Sequence, residues 1–490
     1  MKLSQLLDCV SCISITGDTG IEITSLIYDS RQAETGSVFV ALNGARTDAH
    51  QYIADAVHKG ACAVVTEQKA DCPPGVTQIL VHSTRKALAA MSANFFGHPA
   101  LELVTIGITG TKGKTTTSYM IRNILEAAGH KTGLIGTIGA QIGGSTLKTR
   151  NTTPESYEIQ RLFRQMADEG CTHAVMEVSS QGLKQHRTGG FVFDYGIFLN
   201  ISPDHIGPGE HKDFDEYLEC KKLLLKNCRI GIVNRDMPQL ERILEGHFCA
   251  VETFGLGDAE PSGVPGLTVS RHCLLSSPGV LGTEFETGGI LKHVFRLNLP
   301  GTYNICNALA AILTCHRLGV APQSIADALE NTTVPGRCEL LPCPGHFIML
   351  IDYAHNALSM ESLLKTLREY SPQRLTALFG CGGDRPKIRR YDMGEKASLY
   401  CDRIILTTDN PRFENPADIN KDIIEGIRQH DCEYLVIPDR AEALRYCIDH
   451  AEKGDIYALI GKGHEEYQEV EGVKYRFSER EIVMDYLETK

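Results

Sequence analysis

Gly110-Thr-Lys-Gly-Lys-Thr115 has the residue types and spacing to hold a phosphate. Backbone N–H groups in such a turn face an anion, and Lys114 adds a full positive charge. Thr115 offers a hydroxyl suited to Mg²⁺, and Thr111, Lys112 and Thr116 complete the loop. A strict P-loop has a glycine where this chain has Ile108, so Gly110 gives the shorter form G-x-x-G-K-T. Glu177, at the end of the apolar run from His173, is a candidate Mg²⁺ ligand, with a structural glutamate as the alternative. Asn151-Thr-Thr-Pro154 offers an amide and hydroxyls to a polar ligand, or merely starts a helix. Asp29-Ser30-Arg31 reads by itself as a turn held by its Asp and Ser side chains. Lys221 reads by itself as a helix-surface lysine.

The elements around these residues follow from apolar periodicity. Leu103, Val104, Ile106 and Ile108 predict a buried strand before the loop. Tyr119, Ile121, Ile124, Leu125 and Ala128 recur at helical spacing after it. Further strands are expected at Gly133–Ile138, from His173 and at Tyr195–Ile201, the last leading to Asp204-His205. Toward the C-terminus four apolar strands each run into a polar loop. Ile348–Ile351 meets Asp352-Tyr-Ala-His355, and Leu375–Phe379 meets Gly380-Cys-Gly-Gly-Asp-Arg385. Arg403–Thr407 meets Asp409-Asn-Pro-Arg412, and Ile456–Ile460 meets Gly461-Lys-Gly-His-Glu465. Helices between them imply a doubly wound parallel sheet, with its ligand beyond the carboxyl ends of the strands.

At 490 residues the chain exceeds one core, and roughly three domains are expected. A net charge of −12 argues against a nucleic-acid partner. No apolar run approaches the ~20 residues of a membrane span. The N-terminus shows no clear signal-peptide core, and the 17 cysteines are most simply reduced thiols of a cytoplasmic protein. Cys9 and Cys12 form one CxxC, with no second pair at zinc-ligand spacing.

Taken together, these motifs resemble those of the Mur ligases of peptidoglycan synthesis, most closely the branch that forms the tripeptide. The resemblance runs through Asp29-Ser-Arg31, Gly110–Thr115, Asn151–Pro154, Glu177-Val-Ser-Ser180, Asp204-His205, Tyr303-Asn-Ile-Cys-Asn307, Pro335-Gly-Arg337, Asp352–His355, Gly382-Gly-Asp-Arg385, Asp409–Arg412 and Gly461–Glu465. It implies an α/β chain of three domains: an N-terminal UDP-binding domain at 1–100, a central P-loop ATPase domain at 101–335, and a C-terminal Rossmann-like, amino-acid-binding domain at 336–490. The implied reaction joins an amino acid to the free carboxylate of UDP-MurNAc-L-Ala-D-Glu, with ATP going to ADP and phosphate. The carboxylate first takes the γ-phosphoryl group, so cations matter more than a protein nucleophile.

By resemblance, Lys114, Glu177, His205 and Lys221 form the catalytic set. Thr115, Glu177, His205 and Lys221, the last as a carbamate, hold Mg²⁺. ATP is contacted by Gly110, Thr111, Lys112, Gly113, Lys114, Thr115, Thr116, Asn304, Asn307, Arg337 and Asp352. The UDP-sugar meets Ser30, Asn151, Thr152, Thr153, Ser179 and Arg187. The incoming amino acid meets Arg385, Asp409, Asn410, Pro411, Arg412, Gly461 and Glu465. Asp-Asn-Pro-Arg marks the members that add meso-diaminopimelate, whose extra carboxylate suits the planar fork of Arg412. A brace for its own loop is the alternative role for Arg412. Ligation of L-lysine or another diamino acid, or nucleotide binding without ligation, are the alternative functions. A monomer is expected. Gln181 stands where the family has a His, and Ile206-Gly-Pro-Gly-Glu-His211 departs from the loop that follows its Asp-His pair.

Overall fold

A computed structural model describes residues 1–44, 48–207, 209–257, 264–277 and 279–489. Pro208 of the departing loop therefore lies outside the described residues. The chain forms two compact units, Met1–Thr268 with Cys306–Ile325, and Val269–Ile305 with Ala326–Lys490.

The first unit holds two sheets. In the smaller, Ser25–Ile27, Ser37–Val40, Ala63–Thr66 and Thr77–Val81 run parallel, and Cys12–Thr16 pairs antiparallel with the last. Leu26, Val38, Val40, Val65 and Ile79 pack on the helix Thr84–Phe95 through Leu88 and Met91. In the larger, Val104–Thr109 lies between His173–Glu177 and Phe193–Phe198, all parallel. Thr132–Gly136 flanks one side, and Cys228–Asn234 and Ala250–Phe254 the other. These strands read as near-continuous apolar runs because helices cover both faces. The helix Lys114–Ala127 buries Tyr119, Ile121, Ile124 and Leu125, as its spacing predicted, and Met120 besides, while Ala128 is its half-buried C-cap. Thr132–Gly136 ends two residues before the expected boundary and turns back into the antiparallel strand Gly139–Ile142.

The second unit carries the expected parallel sheet. Its order is Ile348–Asp352, Ile456–Ile460, Leu375–Phe379, Arg403–Leu406, Glu433–Val436, with Glu339–Leu340 antiparallel at one edge. All four strands read from the sequence are adjacent, so their four polar loops share one edge. Met349, Ile351, Leu378, Ile405 and Leu459 form the core beneath them, against Leu444 and Cys447 of the helix Arg440–Asp449. A hairpin, Tyr467–Val470 with Val473–Arg476, stands beside that edge. Its turn residues Glu471 and Gly472 both have positive φ, as a two-residue hairpin turn requires. Among the described residues no helix is long and apolar enough to cross a membrane.

Candidate active site

The phosphate loop opens where the central strand ends. Gly113 caps the helix Lys114–Ala127 with φ 86°. A Cβ there would lie 2.2 Å from Asn307 Oδ1, so only glycine fits against that amide. Lys114 Nζ donates to Gly110 O at 2.8 Å and Thr111 O at 3.2 Å. Lys112 N–H donates to Asn200 Oδ1 at 2.9 Å. The loop is thus tied to the chain that leaves the neighbouring strand.

Glu177 ends the strand on the other side, in register with Ile108. It is 1% exposed and accepts from Thr115 Oγ1 and Thr137 Oγ1 at 3.0 Å each, and from Thr137 N–H at 2.9 Å. The Thr137 hydroxyl also meets Thr152 Oγ1 at 3.2 Å. Thr153 Oγ1 donates to Glu177 O at 3.0 Å and accepts from Ser179 N–H at 2.9 Å. Arg187 donates to Thr153 O at 2.9 Å and pairs with Glu155 at 3.0 Å. Thr115, Glu177, Thr137, Thr152, Thr153, Ser179 and Arg187 are thereby one hydrogen-bonded network, with Asn151 exposed at its margin. Ser30 is buried in the smaller sheet's domain, its carbonyl accepting from Lys59 Nζ at 3.3 Å.

Lys221 is no surface lysine. Its Nζ donates to Gly110 O at 2.9 Å and reaches Thr109 Oγ1 at 3.4 Å from complete burial. Burial and the charge of Lys114 push its pKa well below the usual lysine value. His205, half exposed, has its ring 6.3 Å from that of Tyr217 and its Nδ1 3.1 Å from Glu210 Oε1, with no hydrogen bond or ion pair to Glu177. Among the described residues no three His, Cys, Asp or Glu side chains gather as a metal site.

Of the other residues that the resemblance assigned to ATP, Asn307 lies in the first unit, and Asn304, Arg337 and Asp352 lie in the second. Asp352 accepts from Cys338 N–H and Ala354 N–H at 2.8 Å each, and Arg337 lies over the Tyr353 ring at 4.7 Å. Asn304 Nδ2 donates to Pro300 O at 2.7 Å.

At the sheet edge of the second unit, Arg385, Asp409, Asn410, Arg412, Gly461 and Glu465 line one cavity of about 120 Å³, with Tyr353, His355 and Arg389. Pro411 is buried behind it; its carbonyl would lie 1.9 Å from a Cβ on Gly383, which keeps that position glycine. Arg412 takes φ 51°, donates through Nη1 to Gly383 O at 2.6 Å and pairs through Nε with Glu469 at 3.4 Å. Burial raises the Glu465 pKa, partly offset by the hydrogen bond from Asn410. An arginine and a carboxylate in one small cavity suit a ligand carrying both a carboxylate and an ammonium group.

Three models of one family match along the chain: a Mur ligase catalytic domain at residues 22–96, the Mur ligase middle domain at 108–315, and the glutamate ligase domain at 336–463. The chain is 39% identical to UDP-N-acetylmuramoyl-L-alanyl-D-glutamate–2,6-diaminopimelate ligase 1 of Clostridium acetobutylicum, over 99% of each chain.

The chain belongs to the Mur ligase family.

The corresponding ligase of Caldanaerobacter subterraneus subsp. tengcongensis is also 39% identical, again over 99% of both chains. A solved structure of a UDP-N-acetylmuramoyl-L-alanyl-D-glutamate–2,6-diaminopimelate ligase superposes with a TM-score of 0.73 at 26% identity, covering 100% of this chain and 99% of that one. Within this Mur ligase, sequence reasoning passed over Thr137, Glu155, Lys462 and Glu469. Thr137 and Lys462 follow the ends of parallel strands, where the strand-end rule could have found them. Glu155 and Glu469 carried no signal, since each acts only through a partner far along the chain.

Proposed function

We propose that this protein ligates meso-2,6-diaminopimelate to UDP-N-acetylmuramoyl-L-alanyl-D-glutamate, using ATP, in cytoplasmic peptidoglycan precursor synthesis. The observation that carries the reading is the cavity with Arg412 and Glu465 in its wall. Diaminopimelate offers a carboxylate to a guanidinium fork and an ammonium to a carboxylate; lysine offers only the second. The domain division at 1–100, 101–335 and 336–490 belongs to the same proposal, as does the monomer.

In the reaction the free carboxylate of the UDP-dipeptide attacks the γ-phosphorus of ATP, and ADP leaves. The amine of the amino acid then attacks the acyl phosphate, loses a proton and expels phosphate. Lys114 and the N–H groups of Gly110–Thr116 hold the phosphates. Asn304, Asn307, Arg337 and Asp352 bind the rest of the nucleotide. Ser30, Asn151, Thr152, Thr153, Ser179 and Arg187 hold the UDP-sugar, and Arg385, Asp409, Asn410, Pro411 and Gly461 shape the amino-acid pocket. Thr115 Oγ1 and Glu177, hard oxygen donors 3.0 Å apart and buried, fit Mg²⁺. A second Mg²⁺ would be held by Glu177 with His205 and the carbamate of Lys221, which requires His205 to leave its contact with Glu210. Bound there, Mg²⁺ neutralises charge on the transferring phosphoryl group. Its lowered pKa favours the neutral amine of Lys221, the form that adds to CO₂ to give a carbamate.

The test is phosphate release with UDP-MurNAc-L-Ala-D-Glu and ATP, comparing meso-diaminopimelate with L-lysine. Strong preference for diaminopimelate is expected. Preference for lysine refutes the selector role of Arg412, and turnover with neither refutes the ligase reading.

A further inference from the structure

The Asn410 amide lies between unlike neighbours. Its Oδ1 accepts from Lys462 Nζ at 3.0 Å and from Glu469 N–H at 2.9 Å, while its Nδ2 donates to Glu465 Oε2 at 2.9 Å. The two ends of an amide are nearly alike in shape, so its partners decide which way it faces. A flipped amide would point Nδ2 at a cation and an N–H, and set its oxygen against a carboxylate. Lys462 is fully buried, a costly place for an ammonium without defined partners. Its other partners are Asp409 Oδ1 at 3.1 Å and Tyr467 O at 2.8 Å, with the Tyr467 and Phe477 rings each 5.9 Å away.

We infer that Lys462 is a positioning residue that locks the Asn410 amide toward Glu465 and so holds the Glu465 carboxylate ready for the distal ammonium of the amino acid. The inference rests on reading the cavity as the amino-acid pocket. The groups that act on Glu465 come from several elements. Burial raises its pKa most, and Asp409, beyond the strand Arg403–Leu406, raises it further. Lys462, the Asn410 hydrogen bond and Lys474 of the hairpin lower it. The phenols of Tyr353 and Tyr467 are near it too, their own pKa values raised in part by Glu465, and His355, Arg385, Arg389 and Arg412 line the same cavity.

Removing Lys462 therefore raises the Glu465 pKa. Since Glu465 must be ionised to take an ammonium, the acid limb of kcat/KM for diaminopimelate moves to higher pH. The experiment is steady-state phosphate release across pH with saturating ATP and UDP-dipeptide, for wild type, Lys462→Met and Asn410→Asp. For Lys462→Met we expect KM for diaminopimelate to rise about tenfold and the limb to rise by about one pH unit. KM for ATP, from a separate ATP titration at saturating diaminopimelate, should stay within about twofold, as befits a change confined to the amino-acid pocket. Asn410→Asp keeps an acceptor oxygen for Lys462 and sets a second charge against Glu465, so it moves the limb the same way even if Lys462→Met fails to fold. An unmoved limb in the folded variants overturns the inference alone. Wild-type enzyme without turnover on diaminopimelate overturns the pocket reading and the inference with it.

Discussion

Replacing Arg412 with alanine should cost far more for diaminopimelate than for lysine. The arginine is pre-set by its surroundings. Its backbone is clamped by the hairpin through Arg412 N–H to Glu469 O at 3.1 Å and Glu471 N–H to Arg412 O at 2.8 Å. Its Nη1 and Nε are engaged by Gly383 and Glu469, and the side chain is 22% exposed. A charge-assisted hydrogen bond is worth about 1.5–3 kcal/mol, and partial exposure favours the lower half of that range. About 2 kcal/mol corresponds to a ~30-fold fall in kcat/KM for meso-diaminopimelate. L-Lysine, which brings no second carboxylate, should change by no more than about threefold, so the selectivity ratio collapses. Arg412→Lys keeps the charge without the fork and should fall between. The assay is phosphate release with each amino acid, alongside thermal melts to show that the variants are folded. An equal loss for both amino acids would falsify the selector role and leave Arg412 as a brace for its loop.

Lys221→Met should abolish most ligation yet raise thermal stability at pH 7 in CO₂-free buffer. Its folded pKa is depressed, so the unfolded chain binds the extra proton; the gain should shrink as pH rises toward the ordinary value of 10.5, and a gain independent of pH would refute the linkage. Gly113→Ala places a Cβ 2.2 Å from Asn307 Oδ1 at φ 86°, so ATP binding measured by calorimetry should weaken at least about tenfold, and wild-type affinity would contradict the tight loop. Glu177→Gln puts an NH₂ where three donors converge, so the Mg²⁺ concentration for half-maximal rate should rise about tenfold or more; an unchanged Mg²⁺ titration would remove Glu177 from the metal site.

Local pattern was enough to find the phosphate loop. Ile106 and Ile108 before it, Gly110 and Gly113 within it, and the buried helix spacing of Ile121, Ile124 and Leu125 after it are all near neighbours in sequence. The same holds for the four C-terminal strands and their polar loops. The hairpin Tyr467–Arg476 was not legible, because its strands are half-buried or exposed and carry no apolar alternation. Glu433–Val436 was missed for a related reason, being a half-exposed edge strand. Tertiary structure alone brought Thr115 to Glu177, 62 positions apart, because the strand that leads into the Thr115 loop pairs in register with the strand that Glu177 ends. It likewise turned Lys221 from a helix surface into the phosphate loop, set the Asn410 amide through Lys462, and left His205 on Glu210. Periodicity is a property of neighbouring residues and encodes elements. Which strand ends meet depends on the strand order that buries both faces of the sheet, and that order is a property of the whole chain.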